Sequence, residues 1–150
     1  MDKTQLRALI EETLKEIDLY SSEAVDLLMG TAEHESKLGH YILQVEGPAL
    51  GIFQMEPATF RDIQNNYLEY KPNLNKKIAE VCGNVSAQAL IYNMKLAICF
   101  ARVHYLRVPK KLPGTIKGMA EYLKKYYNTK LGKGTAEQFI KHYSKYVLSE

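Results

Sequence analysis

From residue 86 to residue 106 the chain is apolar almost all the way round a helical wheel, with a polar stripe carried by Gln88, Lys95 and Arg102. These three are seven residues apart, which is two helical turns, so their side chains share one face. A helix that is apolar on its other sides has to be enclosed. The rest of the chain must therefore supply a coat of amphipathic elements around it. Lys95, Arg102 and His104 argue against a membrane span, and no other apolar run reaches the roughly 20 residues that a bilayer requires.

The coat reads as helical. Leu6, Leu9, Ile10, Leu14 and Ile17 recur at helical spacing, which predicts an amphipathic helix over 4–18. Ser21 and Ser22 offer an N-cap for a second helix to about residue 38, with Gly39 as its stop. Pro57 suits the first turn of a third, to about residue 70. Lys71-Pro72-Asn73 breaks it, and a short helix over 74–81 ends at Gly83. Pro109 and Pro113 bracket a basic loop, and helices follow over 115–127 and 135–148. Between the second and third helices, Tyr41, Leu43 and Val45 alternate with other residues, Gly47-Pro48 makes a turn, and 50–54 returns. That pattern predicts a short β-hairpin. The expected architecture is α+β, mostly helical, in a single domain over 1–150, with one small hairpin and one buried central helix.

With 150 residues there is enough chain for one proper core. The net charge of +3 is mild and lacks the concentrated basic patch of a nucleic-acid binder. Residues 107–117 are Lys/Arg-rich, without the interleaved aromatics of a single-strand binder, and read as a solvated loop. No nucleic-acid partner is expected. Cys82 and Cys99 lie among apolar residues and make neither a disulfide framework nor a zinc site; they read as reduced, buried thiols. The first nineteen residues are charged throughout and contain no apolar signal core. The chain is therefore expected to be made in a cytoplasm and kept soluble there.

The chemistry is concentrated in the second helix and the segment after it. On a wheel of that helix, Val25, Leu28, Met29 and Ala32 share one face, and Ser36 falls inside it. Glu35 lies on its flank, Glu33 further round on the other flank, and His34 nearly opposite the apolar centre. Leu27 does not fit the stripe. Glu35 is then the carboxyl group expected to be half-buried at the helix end. Burial and the negative end of a helix both favour the protonated form of such a group. Glycoside cleavage needs a protonated acid beside the leaving oxygen. Glu33-His34-Glu35 with His40 nearby does not have the His-Glu-x-x-His spacing of a zinc site; no metal and no cofactor is expected.

The pattern Ala32-x-x-Glu35-Ser36 followed by Gly51-Ile52-Phe53-Gln54-x-x-Pro57-Ala58-Thr59 resembles the first two motifs of soluble lytic transglycosylases and related phage muralytic enzymes, members of the lysozyme-like superfamily. The resemblance implies that Glu35 is the sole catalytic acid/base, that Ser36 supports it, and that Gly51 and Gln54 line a cleft, with Gln54 contacting substrate. A third family motif, Ala-Tyr-Asn-Ala-Gly, is partly kept as Tyr126-Tyr127-Asn128-Thr129-Lys130. It implies a positioning role for Tyr127, with Asn128 beside it. Lys37-Leu38 stands where an aromatic residue often follows the Glu-Ser pair. The chain has no tryptophan, so sugar stacking falls to tyrosine or phenylalanine. The resemblance covers 30–59 well and the tail weakly.

On this resemblance the expected activity is cleavage of the MurNAc-GlcNAc β-1,4 bond in peptidoglycan, with a 1,6-anhydro product. The expected partners are glycan strands and, for a virion-associated phage enzyme, other virion proteins. Access to the wall would come through the virion or holin-type release. Two alternatives stand beside it. One is a hydrolytic muramidase using a second carboxylate, Glu46 at the hairpin turn or, less favoured, Glu56. The other is a non-catalytic virion structural or glycan-binding protein with the same fold.

Overall fold

The structure is a computed structural model that describes residues 1–127 and 136–148. Helix α1 spans Lys3–Glu16, α2 Ser22–Ser36, α3 Pro57–Asn66, α4 Pro72–Cys82, α5 Met94–Leu106, α6 Ile116–Tyr126 and α7 Ala136–Tyr143. Short 3₁₀ turns cover Leu68–Tyr70 and Gln88–Ile91, and α7 runs on into a π-helical turn over Ser144–Leu148.

The helix starts follow local chemistry. Asp2, Ser21, Asn93 and Thr115 each accept a hydrogen bond from the backbone N–H three residues on, satisfying a donor that the helix itself leaves unpaired. Pro57 and Pro72 open α3 and α4, where a missing N–H costs nothing. Pro72 therefore begins a helix rather than merely ending the one before.

Helix α5 is the enclosed element, with Leu96 to Val103 and Tyr105 all buried. It packs against α1, α2, α3 and α4. It is shorter than the apolar run that announces it. Asn93 accepts from Leu96 N–H (3.1 Å) and donates to the Cys82 carbonyl (2.9 Å), so the helix begins there. Gln88 is thereby left in a separate turn. Arg102, in the polar stripe, is buried and donates through Nε to the Leu19 carbonyl at 3.0 Å. Lys95 reaches Glu16 of α1 at 2.7 Å.

Helix α2 is covered by α1, α5, α6 and α7. Leu27, Gly30 and Thr31 are buried along with the apolar stripe, because a second side of the helix is also occupied. This is why Leu27 fits no single face.

The expected hairpin is absent, and with it the α+β class: among the described residues there is no strand and no sheet. Residues 41–55 hold two isolated antiparallel bridges, Leu43 with Leu50 and Leu50 with Met55. Leu50 serves both because the chain reverses at once, with Gly51 at φ 79° and Gln54 at φ 48°. On the other arm, Gln44 N–H donates to the Ala49 carbonyl at 2.9 Å, but Ala49 N–H turns to Gln44 Oε1 at 3.0 Å, so the next rung is only half formed. Alternation in the sequence cannot extend into a ladder when turns fall this close together. No helix among the described residues is long and apolar enough to cross a membrane.

Candidate active-site cleft

Helix α2 ends in an uncommon way. Lys37 (φ 52°) and Leu38 (φ 54°) are both left-handed before Gly39. Each non-glycine residue there costs roughly 1–2 kcal/mol. The turn is held by Lys37 N–H to the Glu33 carbonyl (3.0 Å) and Leu38 N–H to the Ala32 carbonyl (3.1 Å), and by burial of Leu38. The stop thus falls two residues before the glycine.

Ser36 anchors that end. Its hydroxyl lies 2.5 Å from the Ile52 carbonyl and 3.0 Å from the Ala32 carbonyl, and accepts from Gly39 N–H at 2.9 Å. The residue is fully buried. It ties the helix end to the Gly51-to-Gln54 segment and does not line the cleft.

Gly51 also stands behind the cleft. A Cβ there would lie 2.2 Å from the Leu90 carbonyl oxygen, so the close approach that glycine permits is to the protein's own backbone. Gln54 does line the cleft, and its Nε2 donates to the Gly51 carbonyl at 2.8 Å.

The cleft has a volume of about 590 Å³. Its lining comes from the end of α2 (Glu35), residues 41 and 43–49, the entry to α3 (Gln54, Met55, Glu56, Ala58, Thr59), α5 (His104) and the end of α6 (Tyr126, Tyr127). Glu35, Glu46 and Glu56 therefore share one cavity. The Glu35 side chain is only 7% exposed. Glu46 is exposed at a left-handed position (φ 59°), and Glu56 is half-buried at the N-cap of α3.

The walls around Glu35 are aromatic. Burial raises the phenols of Tyr105 and Tyr127 well above their ordinary range, and the charge of Glu35 pushes both in the same direction. Both phenol protons are committed elsewhere. Thr31 donates to the Leu27 carbonyl (2.7 Å), so Tyr105 donates to Thr31 Oγ1 at 2.8 Å. Tyr127 donates to the Phe53 carbonyl at 2.6 Å. His34 Nε2 is 4.0 Å from Glu35 Oε2, beyond hydrogen-bond reach, and burial favours its neutral ring.

Two features differ from the wheel. Glu33 is buried, at 7% exposure, and desolvation raises its pKa against the opposing pull of Lys37. His34, expected on the outer side, lies against α7, with its ring 6.1 Å from that of Phe139. Burial alone does not separate Glu35 from Glu33; facing the cleft does. Asn128 lies outside the described residues.

His104 is the cleft residue that sequence reasoning missed. Its Nδ1 is 2.9 Å from Arg107 Nη2, and Arg107 Nη1 is 2.7 Å from Asp62 Oδ2. Because the guanidinium can only donate, Nδ1 is the acceptor and the proton sits on Nε2. Burial, helped by the Arg107 charge, lowers the pKa of His104 to about 4. Its ring meets Tyr127 edge-on, 5.0 Å between centroids. The three-residue spacing of His104 and Arg107 is the one local signal for the pair. Arg107 is accordingly a fixed partner and not part of a solvated basic loop.

No family model, no curated protein and no solved structure matches this chain.

Proposed function

We propose that this chain is a lysozyme-like glycosidase that cuts the MurNAc-GlcNAc β-1,4 bond of peptidoglycan, with Glu35 as the acid/base. The observation that carries this reading is the setting of Glu35. A carboxyl group with 7% side-chain exposure lines an open cleft together with Gln54 and Tyr127, each supplied by a separate motif of the sequence. A desolvated carboxyl among aromatic walls suits proton donation to a leaving oxygen.

In the transglycosylase route, Glu35 donates its proton to the glycosidic oxygen as the C1–O bond breaks. The C6 hydroxyl of the same muramyl residue attacks C1, and Glu35 takes the hydroxyl proton, restoring its acid form. The product ends in a 1,6-anhydro ring. Gln54, with one amide N–H spent on Gly51, presents its amide oxygen and second N–H to the sugar's acetamido and hydroxyl groups. Tyr41, Tyr126 and Tyr127 supply the aromatic surface that tryptophan does not.

A hydrolytic variant is the second reading, because Glu46 lines the same cleft and is a carboxylate able to activate water. The test is digestion of purified peptidoglycan, with turbidity and mass spectrometry of the released ends, using wild type and Glu35→Gln. The expected result is anhydro-terminated fragments, with release reduced by about 10²–10⁴-fold in the variant. Reducing muramic ends would replace the transglycosylase route with the hydrolytic one. Absence of release by wild type, or release that survives Glu35→Gln, overturns the assignment.

A further inference from the structure

Away from the cleft, Cys82 and Cys99 approach each other between α4 and α5, with 3.7 Å between their sulfurs. Both are thiols. They are 17 residues apart in sequence and belong to different helices. Cys82 is the last residue of α4 and is half-buried, whereas Cys99 is fully enclosed in the middle of α5. The pairing is held by a side chain that bridges the two helices. Asn93, the N-cap of α5, donates to the carbonyl of Cys82 itself at 2.9 Å. The end of α4 is thereby docked on the start of the helix that carries Cys99.

We propose that Cys82 and Cys99 form an oxidisable dithiol, with Cys82 as the attacking thiol and Cys99 as the resolving one, which closes into a disulfide stapling α4 to the central helix.

The order of attack follows from placement. Only Cys82 is open to an incoming reagent. The hydrogen bond shared with Cys99 lowers the Cys82 thiol from its ordinary value against the opposing effect of burial, and the nearby Lys95 ammonium acts in the same direction. The same bond, together with burial, raises Cys99. The co-reactant is a low-molecular-weight disulfide. Cys82 thiolate attacks one of its sulfurs, forming a mixed disulfide and releasing one thiolate. Cys99 then attacks Cys82 Sγ, its proton passing to the second glutathione thiolate as that group leaves. Protein dithiol plus one oxidised glutathione becomes protein disulfide plus two reduced glutathiones. The chain is a dithiol in a reducing compartment and stapled in an oxidising one. This proposal does not depend on the glycan reading.

The experiment treats the purified chain with excess oxidised glutathione and follows intact mass and thermal unfolding. The expected product is lighter than the starting chain by two hydrogen atoms, and dithiothreitol restores it. Closing a loop of this length is expected to raise Tm by about 6–12 °C. Cys82→Ser, altered only at a half-buried helix end, is expected to keep an unmodified Cys99 under the same treatment. A wild-type chain that retains both thiols, or stops as a stable glutathionyl adduct, overturns the proposal. A disulfide that forms without raising Tm overturns the staple. Modification of Cys99 in Cys82→Ser overturns the order of attack.

Discussion

The hydroxyl of Tyr127 donates to the main-chain carbonyl of Phe53 at 2.6 Å, joining the end of α6 to the segment that carries Gln54 across 74 residues of sequence. Tyr127 lines the cleft while Phe53 is buried beneath it. Their bond couples the wall beside Glu35 to the loop that presents Gln54. Tyr127→Phe keeps the ring and removes only the donor. The expected cost in stability is about 1 kcal/mol, more if the Phe53 carbonyl finds no water. On the proposed function, kcat falls with little change in KM. Urea unfolding and fragment-release kinetics read the two effects separately.

Gly51→Ala places a methyl group 2.2 Å from the Leu90 carbonyl oxygen at a residue with φ 79°. A backbone oxygen cannot move aside as a flexible side chain can. The expected loss exceeds about 2 kcal/mol. Gly83→Ala is the control, since it has φ 76° but nothing within 4 Å of its Cβ. At ψ −105° an added Cβ there carries backbone strain alone, about 1–3 kcal/mol, and Gly51→Ala is expected to cost more. The difference in chemical-denaturation midpoints measures the clash.

His104 makes stability depend on mildly acidic pH. Its ordinary value of 6.5 is lowered to about 4 in the folded chain, chiefly by burial and then by Arg107. A depressed folded value means the unfolded chain takes up the proton first. The contribution is complete above pH 6.5 and is lost as pH falls toward 4. It amounts to of order 3 kcal/mol. His104→Gln is expected to flatten the pH dependence of Tm in this window. An unchanged slope would refute the assignment.

Glu33→Gln tests a buried carboxyl outside the cleft. Desolvation raises its folded pKa, so the folded chain holds the proton more tightly than the unfolded chain does. Stability from this group is present below its unfolded value of 4.5 and falls as pH rises through the folded value. The variant is therefore expected to melt higher than wild type at pH 7 and to release glycan fragments normally. Loss of release in Glu33→Gln, with Glu35→Gln active, would move the acid from Glu35 to Glu33.

Much of the helical plan is legible in the residues because its signals are local. Asp2, Ser21 and Thr115 cap where a polar side chain precedes an apolar period, and Pro57 opens α3 where its missing N–H is harmless. The hairpin does not form, because alternation over 41–45 is a property of side chains. A ladder instead requires room for a run of backbone pairs, and the turns at Glu46, Gly51 and Gln54 leave room for isolated bridges alone. The wheel of α2 misplaced Glu33 and His34 because it assumes one apolar neighbour, whereas four helices surround this one.

What the sequence determined by itself is a helical chain wrapped on the enclosed run that ends at Leu106, and a short list of groups worth following. Periodicity and capping act within a few residues, so they are written locally. Only the tertiary structure decided that Glu35 lines the cleft while Glu33, also buried, does not. It also brought His104 to Tyr127 and set Ser36 and Gly51 behind the wall as its supports. Those outcomes depend on which helices pack against α2 and α5, and packing between distant segments leaves no mark on the spacing of either segment alone.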